Sequence, residues 1–219
     1  MTNTQTLKTL RENKLSQNLI TGIIFIFAFL GVLLNFITSI QENKPLDMIA
    51  YFTNQSNIIV TIVLALSFTK IKDKSYFKYL ALVALVDILM TGIIYHLIVN
   101  GISSFTNISF SGHLVHTITP LLYPIFYYLL VKKPIPLKNM WVPLIHPLLY
   151  FLYFVILGPV IKWYPYDFLN PTLEGSSLGS VLFFCLVILL PIILLFTAIL
   201  VIFKNQIEKK NNQHNIKNR

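Results

Sequence analysis

The sequence predicts an all-α integral membrane protein, a bundle of six transmembrane helices. Three observations carry that expectation. Of 219 residues, 55% are hydrophobic and 11% charged, with a mean hydropathy of +0.70, whereas a soluble domain carries about 25% charge. The apolar residues gather in six runs long enough to cross ~30 Å of hydrocarbon as helix. None of them shows the ~10-residue alternation of a transmembrane barrel, so each must satisfy its backbone amides internally. A soluble enzyme is excluded.

The expected spans are 19–40, 51–68, 77–99, 113–131, 141–161 and 178–203, within a transmembrane domain of residues 19–203. Segment 1–18 is polar and lacks the basic, apolar and small-residue succession of a cleaved signal peptide. It is read as a cytoplasmic leader that stays attached. The tail 204–219, rich in Asn, Lys and Gln, reads as a disordered cytoplasmic end with anionic lipid as its alternative contact.

Fifteen of the seventeen basic residues fall in the N-terminal segment, the second and fourth loops and the tail. Only Lys44 and Lys162 fall on the other side, beside Glu42, Asp47, Asp167 and Glu174. The positive-inside rule then places both termini in the cytoplasm of a multi-pass protein of the cell membrane. It also explains the net charge of +9 without a nucleic-acid partner. Cys185 is the single cysteine, so no intrachain disulfide or thiolate metal site forms.

Polar residues inside the runs are costly in a membrane, and each calls for a partner or a function. The second run opens Tyr51-Phe52-Thr53-Asn54-Gln55-Ser56-Asn57, with Thr53, Ser56 and Asn57 on one helical face. Thr53 or Asn54 can cap the helix start, and Asn57 can bridge helices. In the third run Asp87 falls near the midplane, either as a satisfied structural carboxyl or as a proton or ion site. The fourth run opens His113-Leu114-Val115-His116-Thr117-Ile118-Thr119-Pro120. Two His three apart supply too few ligands for zinc, so no metal or other cofactor is expected. In the fifth run His146 reads as a structural bridge between helices, and Trp163-Tyr164-Pro165-Tyr166 as an interfacial belt and turn.

Antiparallel threading brings Thr53, His96 and His116 to similar depth, just inside the extracellular interface. A hydroxyl, an imidazole to deprotonate it and amide donors are the minimum parts of a nucleophilic hydrolase. No acidic residue falls at that depth to orient His116, which leaves a backbone carbonyl, a Tyr or Asn, or a Thr–His dyad. Asn57 and the amides at the start of the second helix are the candidate oxyanion donors.

Phe52-Thr53, His113-x-x-His116-Thr117-x-x-Pro120 and Trp163-Tyr164-Pro165, set in six short-looped helices, together resemble the androgen-induced-protein-like family. Its animal members are threonine hydrolases of fatty acid esters of hydroxy fatty acids. The resemblance implies Thr53 as nucleophile and His116 as the catalytic His, with His113 at the place of the family's preceding His; Ser56, Asn57, His96 and His113 are read as the substrate-binding surroundings. The stretch Asn54-Gln55-Ser56-Asn57 departs from the animal pattern and is similar to the bacterial six-helix branch. The Trp-Tyr-Pro element is also one residue tighter than the animal one. The expected substrate is an amphiphilic, lipid-like acyl ester that enters from the membrane, and the expected partners are membrane lipids. A small proton-coupled transporter using Asp87 and the histidines, or a noncatalytic lipid-binding protein, are the alternatives.

Overall fold

The computed structural model describes residues 10–100 and 108–217. The expected leader 1–18 lies outside the described residues as far as residue 9, and the tail does so at residues 218 and 219. Among the described residues every regular element is helical, and no strand occurs.

Each of the six apolar runs folds as helix. Helix α1 spans Lys14–Gln41, and after a single turn, Asp47–Ala50, α2 spans Phe52–Ser67. Helix α3 spans Phe77–Ile94 and runs on into a π-helical segment, Tyr95–Val99. Helix α4 is composite, with an opening turn Phe110–His113, a π-helical segment Leu114–Ile118 and a regular part Thr119–Leu130. Helix α5, Ile145–Ile161, is entered through 3-10 turns at Leu137–Asn139 and Val142–Leu144. Helix α6 opens at Leu178–Leu182, widens to a π-helix over Phe183–Leu189 and continues from Leu190 to Lys217. Four helical stretches, Lys14–Gln41, Phe77–Val99, Leu137–Ile161 and Leu178–Gln213, are long and apolar enough to cross a membrane. Helix α2 is apolar but has 16 residues, or ~24 Å of rise.

Helix α3 is the central element. Ala81, Leu82, Leu85, Ile88 and Asp87 are all fully buried, packed with Val60 and Leu64 of α2 and Tyr123, Phe126 and Tyr127 of α4. Helices α1, α5 and α6 turn large apolar side chains outward, among them Ile23, Ile156 and Leu195, as lipid contact requires. Small residues set the closest approaches. A Cβ on Gly92 would lie 2.9 Å from Pro120 Cβ and 3.1 Å from the His116 carbonyl oxygen, and one on Gly31 would lie 2.9 Å from Val115.

At the end bearing most of the basic residues, the tail does not fray at Lys204 as its composition predicts. Lys204 is fully buried and donates to the carbonyls of Tyr127 and Val131 and to Glu208. Glu208 also pairs with Arg11 at 2.7 Å, and Asn205 bonds both backbone groups of Ile135. These bonds satisfy the carbonyls left free where α4 ends, so the helix is carried forward to Lys217.

Candidate functional site

At the opposite end, the amino terminus of α2 is built by residues distant in sequence. Its N-cap, Tyr51, has extended backbone and makes no side-chain cap. The amides that Thr53 or Asn54 was expected to cap are taken by phenols instead. Phe52 N–H donates to Tyr150 Oη at 3.2 Å and Thr53 N–H to Tyr166 Oη at 3.4 Å. Tyr150 Oη donates in turn to the Ala50 carbonyl at 2.9 Å.

Tyr166 reaches this place because the segment after α5 folds back over the bundle. Lys162, in left-handed conformation (φ 53°), ends the helix. The Tyr164 ring then lies where any side chain on Gly158 would stand, and Trp163 and Tyr166 meet the Tyr51 ring edge-on. The aromatic run read as an interfacial belt is thus a packed cover over α2. Burial pushes the Tyr166 phenol up, against the opposing pull of its bonds from Thr53, and it remains a protonated donor at neutral pH.

His116 belongs to the π-helical segment of α4 and faces the π-helical segment of α3. Its ring stacks on Tyr95 with centroids 3.5 Å apart and planes 11° apart. His96 Nε2 lies 3.0 Å from Thr117 Oγ1, a second tie between the same two segments. The wider turn of a π-segment re-aims side chains, and such segments recur at functional sites. His116 Nδ1 is buried without a hydrogen-bond partner.

Thr53 and His116 line one cavity of about 310 Å³. Asn35, Asn54, Thr91, Tyr95 and Tyr166 add polar groups to its wall, and Met90, Phe151, Leu169 and the inner face of α6 add apolar ones. Ser56, Asn57, His96 and His113 are not among the lining residues. Ser56 Oγ donates to the Phe52 carbonyl at 2.8 Å, back-bonding within its own helix. Asn57 is fully buried, and its Nδ2 donates to the carbonyls of Thr53 at 2.8 Å and Val115 at 3.2 Å. With both N–H bonds engaged, Asn57 links α2 to α4 and has no donor left for an oxyanion.

Asn35 was passed over in the sequence. Its Nδ2 donates to Asn54 Oδ1 at 3.0 Å, so the two form a polar bracket on the cavity wall. The signal was available: an Asn within the apolar first run is costly unless partnered.

Asp87 does not serve His116. Its Oδ2 lies 2.8 Å from His146 Nδ1, and His146 Nε2 lies 2.9 Å from Gln55 Oε1. The His146 ring also stacks on Phe52 at 5.0 Å. This chain runs from α3 through α5 to α2, so His146 bridges helices as its sequence position led us to expect. Among the described residues no group of three His, Cys, Asp or Glu side chains is placed to hold a metal ion.

Comparison with family models, with curated proteins and with solved structures gives no match to this chain. The functional argument therefore rests on the site.

Proposed function

We propose that this protein is an intramembrane hydrolase of lipid-like acyl esters, with Thr53 as nucleophile and His116 as general base. The observation that carries the reading is that both residues line one cavity, although 63 positions apart on different helices. A hydroxyl is a weak nucleophile until a neighbouring base removes its proton, and His116 brings a buried nitrogen with no competing bond.

In the reaction His116 takes the Thr53 proton as Oγ1 bonds to the ester carbonyl carbon, and the carbonyl π pair moves onto its oxygen. The resulting anion forms at the amino end of α2, where the aligned peptide dipoles carry partial positive charge. The Tyr166 hydroxyl, which accepts from the Thr53 amide, has its own O–H to donate there. Collapse breaks the ester C–O bond, and the leaving alkoxide takes the proton held by His116. Water, deprotonated by His116 in turn, then attacks the acyl-Thr53 carbonyl, releasing a carboxylic acid and restoring the hydroxyl.

Six membrane crossings with both termini cytoplasmic belong to this reading. They place the cavity near the extracellular interface, where the ester linkage of an amphiphile resides, and substrate enters laterally from the lipid. The androgen-induced-protein-like resemblance supports the same assignment. A fluorophosphonate probe tests it: purified protein should be labelled on Thr53, and labelling should vanish in Thr53→Ala. Equal labelling of Thr53→Ala would refute the assignment.

A further inference from the structure

One wall of the cavity is apolar throughout. Every lining residue contributed by α6 is apolar: Cys185, Leu186, Leu189, Leu190 and Ile193. These recur at helical spacing along one face, and a buried thiol such as Cys185 behaves as a small hydrophobe. The hydroxyl, amide and imidazole groups stand on α1 to α5 and on the segment after α5. A soluble, uniformly polar ligand would leave the α6 wall uncovered, whereas an amphiphile with one linear chain covers both walls.

The apolar wall is also bounded. Ile193 is 2% exposed and Met90 6%, and both belong to the main hydrophobic core, which closes the chamber behind them. At the other end Cys185 is packed in the second core cluster with Phe151 and Leu169. From Cys185 to Ile193 the helix rises about 12 Å. An extended chain of C–C bonds near 1.52 Å, each advancing it by roughly 1.3 Å, fills that length with about nine or ten carbons.

We infer that the face of α6 from Cys185 to Ile193 is an acyl-chain site, which holds a single unbranched chain of about ten carbons while the ester lies against the Thr53 wall. This rests on the proposed hydrolase reading for the ester end, but the chain site itself stands on the cavity. Chain length is set by the space in front of Cys185 and Leu189. Longer chains lose the fit that a decanoyl chain makes, and shorter ones leave apolar wall exposed to water.

The test separates the chain site from catalysis. A decanoyl probe with a photoreactive diazirine near its terminal carbon is cross-linked to the full-length protein in micelles, with excess decanoate or butyrate as competitor, and the adducts are mapped by mass spectrometry. Adducts within residues 185–193, removed by decanoate and spared by butyrate, are expected. Adducts elsewhere, or adducts that decanoate does not displace, overturn the inference. In parallel, Cys185→Trp, shown to be monodisperse, should move the ester preference toward shorter chains by about tenfold, the loss expected when roughly two methylenes can no longer be buried. Leu189→Trp serves the same purpose if Cys185→Trp does not fold. Turnover with an unchanged chain-length profile in these variants counts against the site. Competed adducts on α6 in a protein that hydrolyses no ester would keep the chain site and remove the hydrolase reading.

Discussion

Asn57 Nδ2 donates at 3.2 Å to the carbonyl of Val115, the residue before His116, while also donating at 2.8 Å to the carbonyl of Thr53. One buried amide thus spans the two chain segments that carry the proposed nucleophile and base. Replacing it with Ala removes the cross-helix donor to the Val115 carbonyl, and an unsatisfied buried group costs about 1–3 kcal/mol. Asn57→Ala should therefore lower the thermal midpoint of the purified protein and depress ester hydrolysis together. Unchanged stability would show that the tie contributes nothing.

The Asp87–His146 pair makes a different demand. Asp87→Asn keeps a side-chain oxygen for His146 Nδ1 and should fold and retain most hydrolysis. Asp87→Leu leaves the imidazole nitrogen unpaired, at a cost of about 1–3 kcal/mol, and should melt markedly lower. A folded Asp87→Asn protein without hydrolysis, together with proton-coupled uptake by the native protein, would favour the transporter alternative.

How much of this was legible beforehand depends on the distance over which the signal acts. Helical class and the positions of the apolar runs follow from local hydropathy, and the six runs can be read directly. That Thr53 and His116 come to one cavity was legible from polar residues at helix starts and from antiparallel threading. The Tyr150 and Tyr166 bonds to the α2 amides join residues 98 and 113 positions apart, so no local capping rule could find them. The three π-helical segments have no sequence signature in hydropathy. The tail misled for a related reason: its composition is that of a solvated segment, but Lys204, Asn205 and Glu208 find specific partners just before α1, at the end of α4 and beyond it.

Gly92 gives a steric prediction. A Cβ there meets Pro120 Cβ at 2.9 Å and the His116 carbonyl oxygen at 3.1 Å, so Gly92→Ala must push α4 away from α3. Overpacking of this kind costs about 1–3 kcal/mol, and the displaced element carries the base. Hydrolysis should fall more than stability alone explains, read as a drop in kcat in protein that remains folded at the assay temperature. A kcat equal to that of the native protein would contradict this.

Orientation is testable through the charge distribution. In a Cys185→Ala background, Glu174→Cys should react with an impermeant thiol reagent on intact cells, and Asn212→Cys should react only after permeabilisation. The motivation is that fifteen of seventeen basic residues lie on one side, as the positive-inside rule requires of the cytoplasmic face. The reverse pattern would place the cavity near the inner leaflet.

The central claim is that Thr53 and His116 act as one catalytic unit, and the measurement that tests it most directly is ester hydrolysis by Thr53→Ala, His116→Ala and the double variant, each purified, folded and monodisperse. Residues that act together in one step are strongly non-additive, with losses on the order of 10³-fold or more for each member. The account predicts that both single variants lose turnover to that extent and that the double variant is scarcely worse than either. Full activity in Thr53→Ala, or losses in the two single variants that simply multiply in the double, would contradict it.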